Sequence, residues 1–180
     1  MIDPDRDAPE EVMWEGRFIT AKRRGKWEYV GRARGIHAAV ILAIDEADDG
    51  RHVLLVDQFR MPLGRRCIEL PAGLVGDEQA GEDPAAAAAR ELEEETGYRP
   101  SRVESLGQFF SSPGMVSESF TLFRAHGLEK TGAGGGVADE DIRVHRVALT
   151  DLPACVAAWR AEGYAMDVKL LLLLGAGFLA

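Results

Sequence analysis

Glu91, Glu94 and Glu95 stand at i, i+3 and i+4, a spacing that sends three carboxylates from one face if the segment is helical. Like charges so close together repel, so an acidic run of this kind is ordinarily a solvated helix face. The surrounding residues point to a different use. Asp83-Pro84 supplies an N-cap and a first-turn proline, Ala85 to Glu95 is rich in helix formers, and Gly97 ends the run. Arg90 lies one turn before Glu94, close enough to brace it. Clustered hard oxygen donors are what Mg²⁺ or Mn²⁺ takes, above all where the ion also accepts phosphate oxygens from a substrate.

Glu82, then seven residues, then Arg90-Glu91-Leu92-Glu93-Glu94-Glu95-Thr96-Gly97-Tyr98 resembles the Nudix box, whose pattern ends R-E-U-x-E-E-x-G-U with U aliphatic or aromatic. The family pattern also sets a glycine ahead of the first glutamate, with five residues between the two. Gly76 meets that spacing, while the words Glu69-Leu70-Pro71-Ala72-Gly73-Leu74 make Gly73 the match with three extra loop residues. We take Gly73, where the preceding strand ends. The resemblance implies that Glu91, Glu94 and Glu95 hold divalent ions, joined by the backbone carbonyl of Ala72 (Val75 if Gly76 is the match). It implies that Arg90 braces the glutamates and that Glu82 pairs with Arg90; Glu93, off the shared helix face, is expected in solvent. Glu91, Glu95 and Arg90 are therefore expected to be catalytic.

Outside the box, Ser111-Ser112-Pro113-Gly114 reads alone as an ordinary turn. Pro113 lies sixteen residues after Gly97, which is similar to the proline position of the ADP-ribose pyrophosphatase branch. Val56-Asp57-Gln58-Phe59-Arg60 ahead of Glu69 is similar to the same branch, and implies that Arg60 and Glu69 contact the phosphate–ribose part of a substrate. Trp27-Glu28-Tyr29-Val30, followed by Arg32, resembles the strand that sandwiches adenine there; read from composition alone, Trp27 is a packing residue. In that branch the strand belongs to a swapped N-terminal region, so the resemblance implies a homodimer. An acid between late strands is implied as the base: Glu140 here, with Asp139 and Glu118 as alternatives. The implied reaction is Mg²⁺-dependent (Mn²⁺ as an alternative) hydrolysis of ADP-ribose to AMP and ribose 5-phosphate. Another nucleoside diphosphate sugar such as GDP-mannose, or a ligand sensor without turnover, are the competing readings.

These residues need elements to position them. Residues 12 to 34 alternate polar and apolar positions about a turn at Arg24-Gly25, which predicts a β-hairpin with an exposed face. His37 to Ile44 and Arg51 to Phe59 are continuous apolar runs, predicting strands buried on both faces. A short strand is expected over 67 to 76, then the acidic helix, strands at Val103–Phe110, Ser119–Ala125 and Ile142–Leu149, and helices over Pro153–Glu162 and from Asp167 onward. The fold class is mixed α/β, by resemblance a Nudix α/β/α sandwich with a mixed central sheet, with residues 1–35 as an N-terminal β region for dimer and adenine contacts and 36–180 as the catalytic domain. Thr131 to Ala138, with three successive glycines, reads as a loose hairpin loop or a lid.

The 180 residues suit one well-packed domain. A net charge of −9 argues against a nucleic-acid surface, though an acidic chain can bind a small-molecule nucleoside diphosphate when cations intervene. Cys67 and Cys155 form no disulfide framework and the N-terminus is no signal peptide, so a cytoplasmic protein is expected. The apolar run from Leu170 to Ala180 is shorter than the roughly 20 residues that span a bilayer, so no membrane partner is expected.

Overall fold

In the computed structural model, residues 4–33, 37–76, 81–137 and 140–174 are described. The N-terminal region is a three-stranded antiparallel sheet, not a hairpin: β1 (Glu10–Glu15), β2 (Ile19–Arg24) and β3 (Trp27–Arg32) in that order. The expected Arg24-Gly25 turn joins β2 to β3, with Gly25 in the left-handed region at φ 56°. The extra strand, β1, pairs antiparallel with β2 across the break at Gly16 to Phe18. The expected boundary between residues 35 and 36 lies outside the described residues.

The second sheet has eight strands. Its spine is β4 (His37–Ala47) and β5 (Gly50–Arg60), each buried along its middle as the apolar runs predict. Residues 67 to 76 form two strands instead of one. β6 (Arg65–Glu69) pairs with β5, and β7 (Ala72–Val75) crosses to pair with β4. Pro71, which has no N–H to continue a ladder, sits at the switch, and its carbonyl accepts from Ile41 N–H at 2.8 Å. β8 (Tyr98–Phe110) and β9 (Ser119–Lys130) form a long antiparallel pair, and β9 runs parallel to β4. β10 (Arg143–Ala148) pairs with β5, and β11 (Ala165–Met166) runs parallel to the edge of β6.

Alternation along β4 divides the core. Ala39, Ile41 and Ala43 face one layer with Ala88, Leu92 and Phe123; Val40, Leu42 and Ile44 face the other with Leu55, Ile68 and Leu122. The first face is covered by α1 (Pro84–Thr96), the second by Leu152 of α2 (Leu152–Ala161) and by Leu170 and Leu173. The result is the expected α/β/α arrangement about a mixed sheet. The segment expected as a final helix is a 3-10 helix over Val168–Leu174, since β11 and the Asp167 turn hold its start to the sheet; residues 175–180 lie outside the described residues.

Candidate active site

α1 begins as its sequence dictates. The Asp83 carboxylate accepts from Ala86 N–H at 3.3 Å, Pro84 opens the helix, and Gly97 ends it at φ 71°. Fully buried Leu92 fixes its rotation against the sheet. That rotation turns Glu91 and Glu95 toward β7, where Ala72 N–H donates to Glu95 Oε2 at 3.0 Å. A β-carbon at Gly73 would collide with the Glu91 side chain, so a larger residue there would push this carboxylate out of its place. Gly76 has a separate task, a positive φ of 82° just beyond the strand.

Arg90 ties the acids together. Its Nε donates to Glu82 at 3.3 Å, and one terminal nitrogen lies 3.1 Å from both Glu94 and Glu91. Glu82, Glu94 and Arg90 thus form a brace beside the cleft, and Glu94 faces Arg90 instead of joining Glu91 and Glu95. Glu93, expected in solvent, is outward but engaged: it accepts both arms of the Arg99 fork and the Thr131 hydroxyl.

A cleft of about 610 Å³ gathers Glu91, Glu95 and Ala72 with Arg60, Glu69 and Glu140. Arg60 on β5 forks onto Glu69 on β6 with bonds of 2.6 and 2.7 Å, and Glu69 is only 4% exposed. Arg32, from β3, also reaches this cleft, its Nε bound to Glu118 at 2.5 Å. The N-terminal sheet is held against this region by the Val30 N–H to Met115 and Ser117 N–H to Val30 bonds. Trp27, Glu28 and Pro113 gather elsewhere, around a second cleft of about 500 Å³ that also includes Tyr29 and Arg24. Within one chain the residues expected to hold adenine are together, but apart from the carboxylates.

The glycine-rich loop is neither loose nor a detached lid. Gly135 and Gly136 N–H donate to the carbonyls of Glu95 and Glu94 at 2.8 and 3.0 Å, and Thr131 and Gly132 N–H donate to Gly97. These are terminal carbonyls of α1, which a helix cannot satisfy internally. A β-carbon at Gly134 would collide with the backbone of Thr96 and Glu95. The loop therefore clasps the helix end and delivers Glu140 to the cleft, where its Oε2 accepts from Val137 N–H at 3.1 Å. Asp139 lies outside the described residues, and Glu118 is occupied by Arg32.

Burial pushes the Glu95 carboxyl up to about 8; the Ala72 N–H opposes this, and the charges of Glu91 and Glu140 add to it. A buried carboxyl raised in this way suits a cation to neutralise it, and carboxylate oxygens are hard donors that suit Mg²⁺ or Mn²⁺. Among the described residues no three such donors converge on one ion position, because Glu91 is drawn to Arg90 and Glu95 to Ala72 N–H. The cleft also holds Gln58, Phe120, Asp167 and Lys169, which the sequence reading did not single out.

The NUDIX domain model matches residues 35–166, and the chain belongs to that family. An ADP-ribose pyrophosphatase of Mycobacterium tuberculosis is 42% identical over 91 residues, 51% of this chain and 43% of that protein. A CMP-5'-(N-acetyl-N-hydroxy-3-aminopropyl)phosphonate hydrolase of Streptomyces rubellomurinus is 34% identical over 174 residues, 93% of this chain and 81% of that protein. A solved structure of an ADP compounds hydrolase shares the fold, with a TM-score of 0.61 at 19% identity, covering 86% of this chain and 94% of that one. For many of the curated relatives the matched stretch is shorter than the protein, between 43% and 59% of its length. Among the described residues no helix is long and apolar enough to cross a membrane.

Proposed function

We propose that this protein is a Mg²⁺-dependent ADP-ribose pyrophosphatase, with Mn²⁺ as an alternative ion, acting as a cytoplasmic homodimer. One observation carries the reading: the Glu91 and Glu95 carboxylates, the Arg60–Glu69 fork and Glu140 share a single cleft. The ADP-ribose pyrophosphatases among its relatives support the choice of substrate.

Glu91 and Glu95 would hold the divalent ion, with the Ala72 carbonyl as a further donor and Glu94 joining them on leaving Arg90, and the ion would supply charge neutralisation at the diphosphate. Arg90 keeps the acids apart and oriented. Arg60, its guanidinium held in plane by the fork onto Glu69, donates its remaining N–H groups to a phosphate. Glu140 takes the proton from an attacking water, the role of a positioned carboxylate beside a diphosphate. Arg32 pairs with a phosphate on leaving Glu118. Trp27 stacks on adenine and Glu28 accepts from its exocyclic amine, with Pro113 shaping that cleft. Because this second cleft is separate within one chain, the N-terminal region, residues 1–35, completes the partner's catalytic domain, residues 36–180.

The Streptomyces relative, matched over nearly the whole chain, favours a second reading: hydrolysis of a CMP conjugate. The test is purified protein with Mg²⁺ against ADP-ribose, GDP-mannose, a CMP conjugate and nucleoside triphosphates, with products identified. AMP and ribose 5-phosphate from ADP-ribose are expected. Absence of AMP release at high enzyme concentration sinks the reading, and binding without turnover makes the protein a sensor.

A further inference from the structure

Among the described residues three cations reach the carboxylate cleft, and each is already paired: Arg32 with Glu118, Arg60 with Glu69, and Lys169 with Asp167. The third pair comes from the segment after β11 and lies beyond the stretch matched by the family model. It is built into the wall. Asp167 N–H donates to Ile68 at 3.0 Å, the Asp167 carboxylate accepts from Lys169 N–H at 2.7 Å, and Lys169 Nζ bonds Asp167 at 2.6 Å. The ammonium also lies over the Phe120 ring, 5.6 Å from its centroid, and the Lys169 side chain is only 15% exposed.

A lone lysine here would read as a phosphate contact. Asp167 argues against that: a guanidinium such as Arg32 or Arg60 keeps further N–H groups for a phosphate beside its carboxylate partner, whereas the compact Lys169 ammonium lies 2.6 Å from a carboxylate that offsets its charge and repels an anion. What the pair offers is an acceptor beside a donor, with an aromatic ring adjoining. Vicinal hydroxyls match it: one donates to Asp167 while its neighbour accepts from Lys169. We propose that Asp167 and Lys169 form a polyol subsite that recognises the sugar on the non-nucleoside half of the substrate. This rests on the nucleoside diphosphate sugar reading above. It makes these two residues selectors of the sugar, with no part in the chemistry at phosphorus.

The test compares ADP-ribose with ADP methyl ester, which keeps the diphosphate and lacks the sugar, in the wild type, Asp167→Asn and Lys169→Met. The ratio of kcat/KM for the two substrates is expected to fall about tenfold in each variant, the effect of leaving a charged group's hydrogen bond unmade. An unchanged ratio, including equal losses on both substrates, overturns the subsite and assigns the pair to holding the C-terminal segment. In parallel, calorimetry measures binding of a methylene-bridged, hydrolysis-resistant ADP-ribose, expected to weaken about tenfold in each variant. Tight binding by the wild type without turnover of ADP-ribose removes the hydrolase reading and leaves the subsite standing. Binding indifferent to both substitutions removes the subsite and leaves the hydrolase, and no binding by the wild type overturns both.

Discussion

Ala72 N–H donates to Glu95 Oε2 across 3.0 Å, so the strand that runs beside the acidic helix also holds its most buried carboxylate. This bond favours the ionised acid, yet burial outweighs it and pushes Glu95 up to about 8. The folded state therefore holds a proton that the unfolded chain releases at the ordinary glutamate value. Between that value and about 8 the folded form binds more protons, so stability falls as pH rises.

In EDTA, the thermal midpoint should drop as pH is raised from 5 to 8, a change worth on the order of a few kcal/mol. Glu95→Gln should flatten that dependence. Mg²⁺ should stabilise the wild type more at pH 8 than at pH 5, because the ion binds the ionised form. Calorimetric scans across pH, with and without Mg²⁺, check all three; a flat wild-type profile in EDTA refutes the assignment.

Glu140→Gln removes the proposed proton acceptor and leaves the clasp intact. Its kcat should fall roughly 10²- to 10⁴-fold, with binding of ADP-ribose close to that of the wild type. Single-turnover rates beside equilibrium binding make the separation. A wild-type rate moves the role to Asp139 or Glu118.

Gly134→Ala forces a β-carbon into the end of α1 at a residue with φ 72°. A stability loss of about 1–3 kcal/mol is expected, together with a lower kcat as Glu140 is displaced. Hydrogen exchange is the direct readout. Gly135 and Gly136 amides should be protected in the wild type and exchange fast in the variant; fast exchange in the wild type would show that the clasp does not persist in solution.

Trp27→Ala should raise KM for ADP-ribose by an amount matching about 1–3 kcal/mol of lost stacking, with kcat little changed. An adenine-free ribosyl diphosphate should be indifferent to the substitution. If both substrates respond alike, Trp27 packs the N-terminal sheet and adenine binds elsewhere.

Local chemistry was readable from the chain wherever neighbours in sequence decide the outcome. The Asp83 cap, Pro84, the Gly97 stop and the Arg90–Glu94 turn needed no tertiary information. The buried middles of β4 and β5 were equally plain, because short apolar runs flanking a turn segment suit strands covered on both faces. What escaped was settled by distant partners. Pro71 was visible, but not that β6 would end there, beside β5, and the chain cross to β4. The glycines at 134 to 136 looked loose because their hydrogen-bond acceptors lie some forty residues earlier, on α1. Asp167 and Lys169 resembled a helix start, and only the pairing of β11 with β6 brings them to the cleft.

The alanines in the layer beneath α1 carry a further meaning. Ala39 and Ala43 on β4 meet Ala88 on the helix, where larger residues would hold the two surfaces further apart. The standoff between the glutamates and β7 is thus calibrated by methyl groups deep in the interior, remote from any reacting atom. Metal affinity and turnover are accordingly open to tuning from the core: a single added methylene at Ala39 would act as a shim, lifting the carboxylates away from the strand without altering a residue of the cleft.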